Sequence, residues 1–199
     1  MKYLILAGTP VFIMGFAFAH SFIQIWLGAG YDRTAFTLQL LLVAGFINFL
    51  TGPGFYIFNG TGKPQYGMYI SVLSTIMKLT LSIILIIKFG YYGTVLGTCI
   101  SFIICSVIFL VIFHKIIEIS LVQTLKKFLF LPFSVGLVSL FIPIFVVNQS
   151  QNCSLILIGL AGAGYICIYG LLIWKSGCIH SSDIELWRKL LPALLGPQK

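Results

Sequence analysis

The sequence predicts an all-α integral membrane protein, and its composition is the first observation that does so. Of 199 residues, 59% are hydrophobic and only 8% are charged. A soluble domain carries about 25% charged residues, because its surface must be solvated by water. A chain this apolar cannot cover a water-exposed surface, so we expect it to lie in a lipid bilayer.

The second observation is the length of the apolar runs. A bilayer core of about 30 Å needs about 20 apolar residues per helix. Six runs satisfy this requirement: 3–27, 35–58, 66–88, 93–113, 128–147 and 155–174. The third and fourth are separated by a short Gly-Tyr-Tyr-Gly turn, which predicts a tight helical hairpin. No stretch has the composition of a soluble domain, so residues 1–175 are predicted to form one six-span domain, followed by a cytoplasmic amphipathic tail over 176–199.

The third observation is the placement of the twelve basic residues. Nine lie on the side of the N-terminus: Lys2, Lys63, Lys115, Lys126, Lys127, Lys175, Arg188, Lys189 and Lys199. Only Arg33 and Lys88 lie on the other side, and Lys78 lies within a run. This bias predicts a multi-pass protein of the cytoplasmic membrane with both termini in the cytoplasm. Because the net charge of +8 is spread over short gaps between spans, it favours an anionic lipid surface over nucleic acid as the partner.

The first run has an alternative interpretation. Lys2, the apolar run after it and the Ala-Phe-Ala-His segment at 17–20 resemble a signal peptide with its cleavage site. The apolar run continues to residue 28, however, which is longer than a signal core. We therefore expect an uncleaved span, with cleavage as the alternative.

Two further segments are amphipathic, 115–127 and 181–195. Both suit helices that lie in the cytoplasmic interface, with basic side chains toward lipid headgroups. The first suits a simple connector equally well. The second opens with a capping box of Ser182 and Glu185.

Several patterns indicate packing and not chemistry. Gly93, Gly97, Ser101 and Cys105 recur every four residues, which lets two membrane helices approach closely. Pro10, Pro53, Pro132 and Pro143 lie inside or at the ends of spans, where they predict kinks or breaks. The sequence contains no nucleophile–base pair, no paired carboxylates and no metal-spaced histidines or cysteines. It therefore predicts neither an enzyme nor a bound metal or cofactor.

Lys78 is the main candidate for a functional residue. It lies near the middle of the third run, where burying a lysine costs about 2.5–3.5 kcal/mol on insertion scales. Five small or polar residues share a helical arc of about 100° with it: Gly67, Ser71, Ser74, Thr75 and Ser82. This face is predicted to line a bundle interior or a water-filled cavity.

No acidic residue is available to pair with Lys78 inside the predicted spans. The four acidic residues lie in loops or tails: Asp32, Glu118, Asp183 and Glu185. We therefore favour an anion-contacting role, with a lysine satisfied by backbone carbonyls as the alternative.

Weaker candidates lie in the first two spans. His20 and Gln24 are one helical turn apart, and Gln39 and Asn48 interrupt the second span. Such residues form hydrogen bonds between helices more often than they contact ligands. We include His20, Gln24 and Asn48 with Lys78 and its face as candidate substrate-path residues.

The region 51–101 resembles the C-terminal half of polysaccharide biosynthesis proteins, the lipid-linked oligosaccharide flippases of the multidrug/oligosaccharidyl-lipid/polysaccharide exporter superfamily. The similarity rests on a Gly-Lys turn after one span (Gly62, Lys63) and a glycine-spaced hairpin (Gly90, Gly93, Gly97). The segment 22–45 also resembles that family, in an LG…Y end followed by a Leu-rich span.

The resemblance implies one lobe of a two-lobe, MATE-like exporter fold around a central cavity. Its substrate would be a polyprenyl-diphosphate-linked glycan, and Lys78 would suit the anionic diphosphate. Because the family has about twelve to fourteen spans, the chain would be a truncated or split lobe, or would pair with an N-terminal lobe or second chain. The alternatives are an inactive or scaffold-like membrane subunit and a multidrug exporter fragment. The exporter is disfavoured because it would need acidic residues in the spans.

Overall fold

The computed structural model describes residues 2–28, 30–118, 130–141, 143 and 155–176, and the regular structure in these ranges is entirely helical. The helices are α1 (Lys2–Leu27), α2 (Asp32–Phe49), α3 (Gly52–Gly60), α4 (Gln65–Phe89), α5 (Tyr91–Ile117), α6 (Phe130–Ser139) and α7 (Leu155–Lys175). Helices satisfy every backbone group within one segment, which is what a bilayer core requires. The all-α membrane fold is confirmed.

Within the described ranges, five stretches are long and apolar enough to span a membrane: Lys2–Leu27, Asp32–Gly60, Gln65–Phe89, Tyr91–Ile117 and Leu157–Lys175. They correspond to five of the six predicted runs. Of the predicted run 128–147, the structure describes mainly the ten residues of α6, so the sixth span stays a prediction. The predicted interfacial helices lie almost wholly outside the described residues. Residues 115–117 of the first one belong to the end of α5.

The helices are arranged approximately as a row. Helix α4 packs mainly on α5, α5 packs on α2, and α2 packs on α1, which in turn contacts α6 and α7. Helix α3 joins α4 and α5 through aromatic side chains, and the ring of Phe55 stacks on that of Phe109 with 4.2 Å between centroids. Helix α4 therefore forms one edge of the row, and its most apolar stretch contains no buried residue.

The predicted hairpin of α4 and α5 is confirmed. Gly90 ends α4 with a positive φ of 56°, a conformation that glycine adopts without strain. Gly93 packs against the backbone of Leu85, and a Cβ on Gly97 would lie 2.7 Å from the backbone nitrogen of Ser82. The two helices thus approach more closely than side chains at these positions would allow.

The two prolines near the start of the chain behave differently. Pro53 lies in the first turn of α3, directly after α2 has ended at Phe49. Because proline has no N–H, it cannot continue the helix to the Phe49 carbonyl, and the predicted break is confirmed. No break occurs at Pro10, since α1 is helical from Lys2 to Leu27, and a kink there stays a prediction.

The Leu6 carbonyl explains how α1 continues through Pro10. In a helix this carbonyl would accept the N–H of residue 10, which proline lacks. The hydroxyl of Tyr169 in α7 donates to it instead, at 3.0 Å. A distant side chain therefore replaces the hydrogen bond that the proline removes.

We expect Gly97→Ala to destabilise the protein, because its methyl group would meet the α4 backbone at Ser82. Overpacking of this kind typically costs about 1–3 kcal/mol. Gly170→Ala in α7 is the matched control, since a Cβ there meets nothing within 4 Å. Thermal unfolding of both variants in the same detergent measures the difference. Equal midpoints would contradict the close approach of α4 and α5.

A double-mutant cycle tests the role of Tyr169. Tyr169→Phe should cost about 0.6 kcal/mol of unfolding free energy, the average for side-chain hydrogen bonds between membrane helices. Pro10→Ala restores an N–H donor for the Leu6 carbonyl, so Tyr169→Phe should cost less in that background. An equal cost in both backgrounds would show that the hydroxyl does not replace the missing bond.

Candidate functional site

A cavity of about 570 Å³ opens between α2, α3, α4 and α5. Its lining residues are Leu4, Asn48, Phe49, Thr51, Gly52, Phe55, Tyr56, Ile70, Ser71, Ser74, Phe102, Cys105, Ser106 and Phe109. Helix α5 forms its floor, because α5 packs on both α2 and α4. The volume is within the range of about 300–1,000 Å³ that small-molecule sites occupy.

Three of the hydroxyl groups that line the cavity donate their hydrogens to the protein. Ser71 donates to the Gly67 carbonyl at 2.9 Å, and Thr51 donates to the Asn48 carbonyl at 2.6 Å. Ser106 donates to the Oδ1 atom of Asn48 at 3.2 Å. These hydroxyl groups therefore present oxygen lone pairs to the cavity.

Lys78, in the middle of α4, lies close to one of the residues that line this cavity. Its Nζ atom lies 5.6 Å from the centroid of the Phe102 ring, which lines the cavity. The acidic side chains that the structure describes, Asp32 and Glu118, form no ion pair with it. Lys78 is exposed on the surface of the helix bundle.

The cation–π contact with Phe102 offsets only part of the free-energy cost of placing Lys78 in the membrane. Such contacts contribute about 0.5–1 kcal/mol at exposed sites and about 2 kcal/mol when desolvated. Placing a lysine at mid-membrane costs about 2.5–3.5 kcal/mol. The contact therefore offsets only part of the insertion cost, and contact with water or an anionic group would lower the remainder.

The residues predicted to share the face of Lys78 separate into different environments. Ser71 and Ser74 line the cavity. Thr75 is exposed and donates to the Ser71 carbonyl at 3.0 Å. Ser82 packs against Gly97 in α5, so it belongs to the helix contact. The structure thus brings Ser71 and Ser74 together with Asn48, and places Lys78, Thr75 and Ser82 outside the cavity lining.

His20 and Gln24 lie away from this cavity. The Nε2 atom of His20 is 3.8 Å from a carboxylate oxygen of Asp32, and their side chains are 53% and 70% exposed. An exposed pair of this kind contributes little to stability. Gln24 is exposed toward the end of α1. Gln39 donates to the Phe16 carbonyl at 3.2 Å, which is the expected hydrogen bond between helices.

The sequence analysis did not identify Phe102 and Ser106 as part of the site. Both lie in α5, in which the small residues had indicated packing alone. Their position in the cavity depends on how α5 packs against α2 and α4. A helical period along one segment carries no information about that register.

A second concavity, of about 430 Å³, lies between α1, α2 and α6. Its lining is apolar: Phe12, Ile13, Phe16, Leu42, Val43, Phe46, Ile47, Phe133, Leu137 and Leu140. It offers no polar side chain that could orient a headgroup. The candidate site is therefore the cavity next to Lys78.

Comparison with known proteins supports the membrane assignment. A protein of Methanocaldococcus jannaschii named uncharacterized membrane protein MJ1068 is 28% identical over 183 residues. The alignment covers 92% of this chain but 35% of the relative, so the relative is more than twice as long. No family model matches the chain, and no solved structure matches it significantly. The chain is a multi-pass helical membrane protein that spans about a third of the length of this relative.

Cysteine labelling tests whether water reaches the cavity face of α4. In a variant with the five native cysteines replaced, we expect Ser74→Cys to react with a charged methanethiosulfonate reagent in proteoliposomes. The reactive thiolate forms only where water solvates it. The matched control is Ile83→Cys, because Ile83 is 61% exposed on the opposite, apolar side of the same helix. Equal labelling of both positions would contradict a hydrated cavity face.

Proposed function

We propose that this chain is the C-terminal lobe of a flippase that moves polyprenyl-diphosphate-linked oligosaccharide across the cytoplasmic membrane for surface polysaccharide biosynthesis. The observation that carries the proposal is Lys78. It places a positive charge at the middle of a long apolar helix, near a cavity with aromatic walls and a few polar side chains, and without a carboxylate partner among the described residues. A charge placed in this way suits an anionic group that enters the membrane.

A diphosphate fits this environment for a physical reason. Electrostatic attraction strengthens as the effective dielectric constant falls, so one ammonium group acts more strongly here than at a water-exposed surface. Lysine binds phosphate as a compact point charge that does not impose the fixed fork geometry of arginine. A single lysine can therefore attract the diphosphate and still release it on the other side.

The position of α4 supports a two-lobe arrangement. Helix α4 lies at the edge of the row, and Lys78 is exposed there. An opposing wall would come from an N-terminal lobe or a second chain. The relative is more than twice as long as this chain, which leaves room in it for a second lobe. Two such lobes would rock about the substrate to expose it to each side in turn.

The order of the first four spans supports a cytoplasmic N-terminus. Spans joined by short connections must alternate in direction across a bilayer, so Lys2, Lys63 in the turn after α3 and Lys115 near the end of α5 would lie toward one side. An excess of lysine on one side marks the cytoplasmic face. The site would therefore receive its substrate from the cytoplasmic leaflet.

A second candidate function is that of a scaffold-like membrane subunit without transport activity. The observation that favours it is the open edge at α4, where this chain supplies no opposing wall in its described part. A scaffold requires α4 to contact a partner but assigns no role to the charge of Lys78. The two functions therefore differ in what they predict for that side chain.

Complementation separates the two functions. In a strain that lacks the cognate flippase, with the N-terminal lobe supplied in trans, we expect Lys78→Ala to lower polysaccharide export about tenfold or more. A loss of about 1.4 kcal/mol in substrate binding corresponds to that factor. Lys78→Glu should abolish export, because it would repel the diphosphate. Surface polysaccharide per cell is the measurement.

Lys88→Ala is the matched control, since Lys88 lies in the last turn of the same helix. It should support normal export at equal protein abundance. If Lys78→Ala and Lys78→Glu both export as well as the parent, the transport role of Lys78 is wrong. A requirement for the chain that persists in that case would favour the scaffold function.

A further inference from the structure

The amide of Asn48 is held with its donor side available to the cavity. Ser106, which is 2% exposed, donates to the Oδ1 atom of Asn48 at 3.2 Å. The two N–H groups of the Asn48 amide then remain. Among the described residues no group accepts them, and Asn48 is exposed at the cavity lining.

Ser74 offers a second group from the opposite wall. It lines the same cavity, and its hydroxyl has no hydrogen-bond partner among the described residues. Ser74 also lies four residues before Lys78, so the two side chains are neighbours on one face of α4. Asn48 and Ser74 therefore place neutral hydrogen-bonding groups beside the charge of Lys78.

The chemistry of the whole lining restricts the occupant. Asn48 and Ser74 supply donors, whereas the hydroxyl oxygens of Ser71 and Thr51 supply lone pairs. A phosphate group accepts hydrogen bonds from the donors but offers no hydrogen to the hydroxyl lone pairs. A hydrocarbon chain forms hydrogen bonds with neither the donors nor the lone pairs. Water satisfies both, and so does a polyhydroxylated ring that displaces it, since each hydroxyl donates and accepts.

Aromatic side chains make the cavity suitable for the apolar face of such a ring. The Phe55 ring is fixed by its stacking on Phe109, with 7° between the planes. Phe102 also lines the cavity, and its ring centroid lies 5.6 Å from the Nζ atom of Lys78. Aromatic walls with a few placed polar groups are the usual construction of a small-molecule site.

We propose that Asn48 and Ser74 form a neutral subsite that binds the sugar nearest the diphosphate, while Lys78 binds the diphosphate itself. Ser106 is a positioning residue that holds the Asn48 amide in its donor orientation. This inference rests on the proposed flippase function. It adds a contact that distinguishes a glycan-bearing lipid from the bare lipid diphosphate.

Two matched probes test the subsite on the full chain in lipid nanodiscs. They are farnesyl diphosphate and farnesyl diphosphate carrying one N-acetylglucosamine, and the measurement is the dissociation constant of each by calorimetry. We expect the sugar-bearing probe to bind more tightly to the parent. Asn48→Leu should weaken the sugar-bearing probe about tenfold and leave the bare diphosphate unchanged, because an unpaired polar group costs about that much.

Further variants test whether an effect of Asn48→Leu comes from a folding defect. Ser74→Ala and Ser106→Ala should each lower the preference for the sugar-bearing probe without affecting the bare diphosphate. Gln39→Leu is the matched control, because it removes an amide of α2 that bonds to the Phe16 carbonyl outside this cavity. It should leave the preference intact.

The outcomes separate this inference from the function on which it rests. If Lys78→Met weakens both probes but Asn48→Leu affects them equally or not at all, the sugar subsite is wrong and the diphosphate site stands. If neither probe binds, or Lys78→Met changes neither, the proposed function fails and the subsite fails with it. A selective effect of Asn48→Leu supports the subsite.

Discussion

The close approach of α4 and α5 is the constraint on which the candidate site depends. Because Gly93 and Gly97 have no side chains, the α4 backbone lies directly against α5. This places the Phe102 ring within 5.6 Å of the Lys78 ammonium group. The same packing makes α5 the floor of the cavity. A larger residue at either glycine would move α4 outward and separate the charge from the polar groups beside it.

Much of the fold follows from properties of single segments, and these could be predicted. Span length depends on bilayer thickness and local composition, so five spans appear where the apolar runs lie. The break at Pro53 follows from its missing N–H. The hydrogen bond that satisfies the Leu6 carbonyl beside Pro10 could not be predicted, because its donor, Tyr169, is 163 residues away. Contacts at such separations depend on the tertiary packing and leave no periodic signal.

The candidate site also has features that the sequence could predict and features that it could not. The helical period placed Ser71 and Ser74 on the side of Lys78, and both line the cavity. It placed Ser82 there too, but the neighbouring helix covers that position. The pairing of Asn48 with Ser106 joins residues 58 apart and depends on the register of α2 against α5. The sequence could therefore predict which face of α4 is polar, but not which groups oppose it.

A charge and a set of hydrogen bonds contribute differently to recognition at such a site. Attraction between Lys78 and a diphosphate depends on distance and little on direction, so it would act equally on every lipid diphosphate. Hydrogen bonds to a fixed amide depend on geometry, and a site built around them rejects ligands that leave its groups unpaired. Under the proposed function, the charge would select the carrier lipid and the amide would select the glycan. Substitutions at Asn48 could then change the glycan that is accepted while the carrier stays the same.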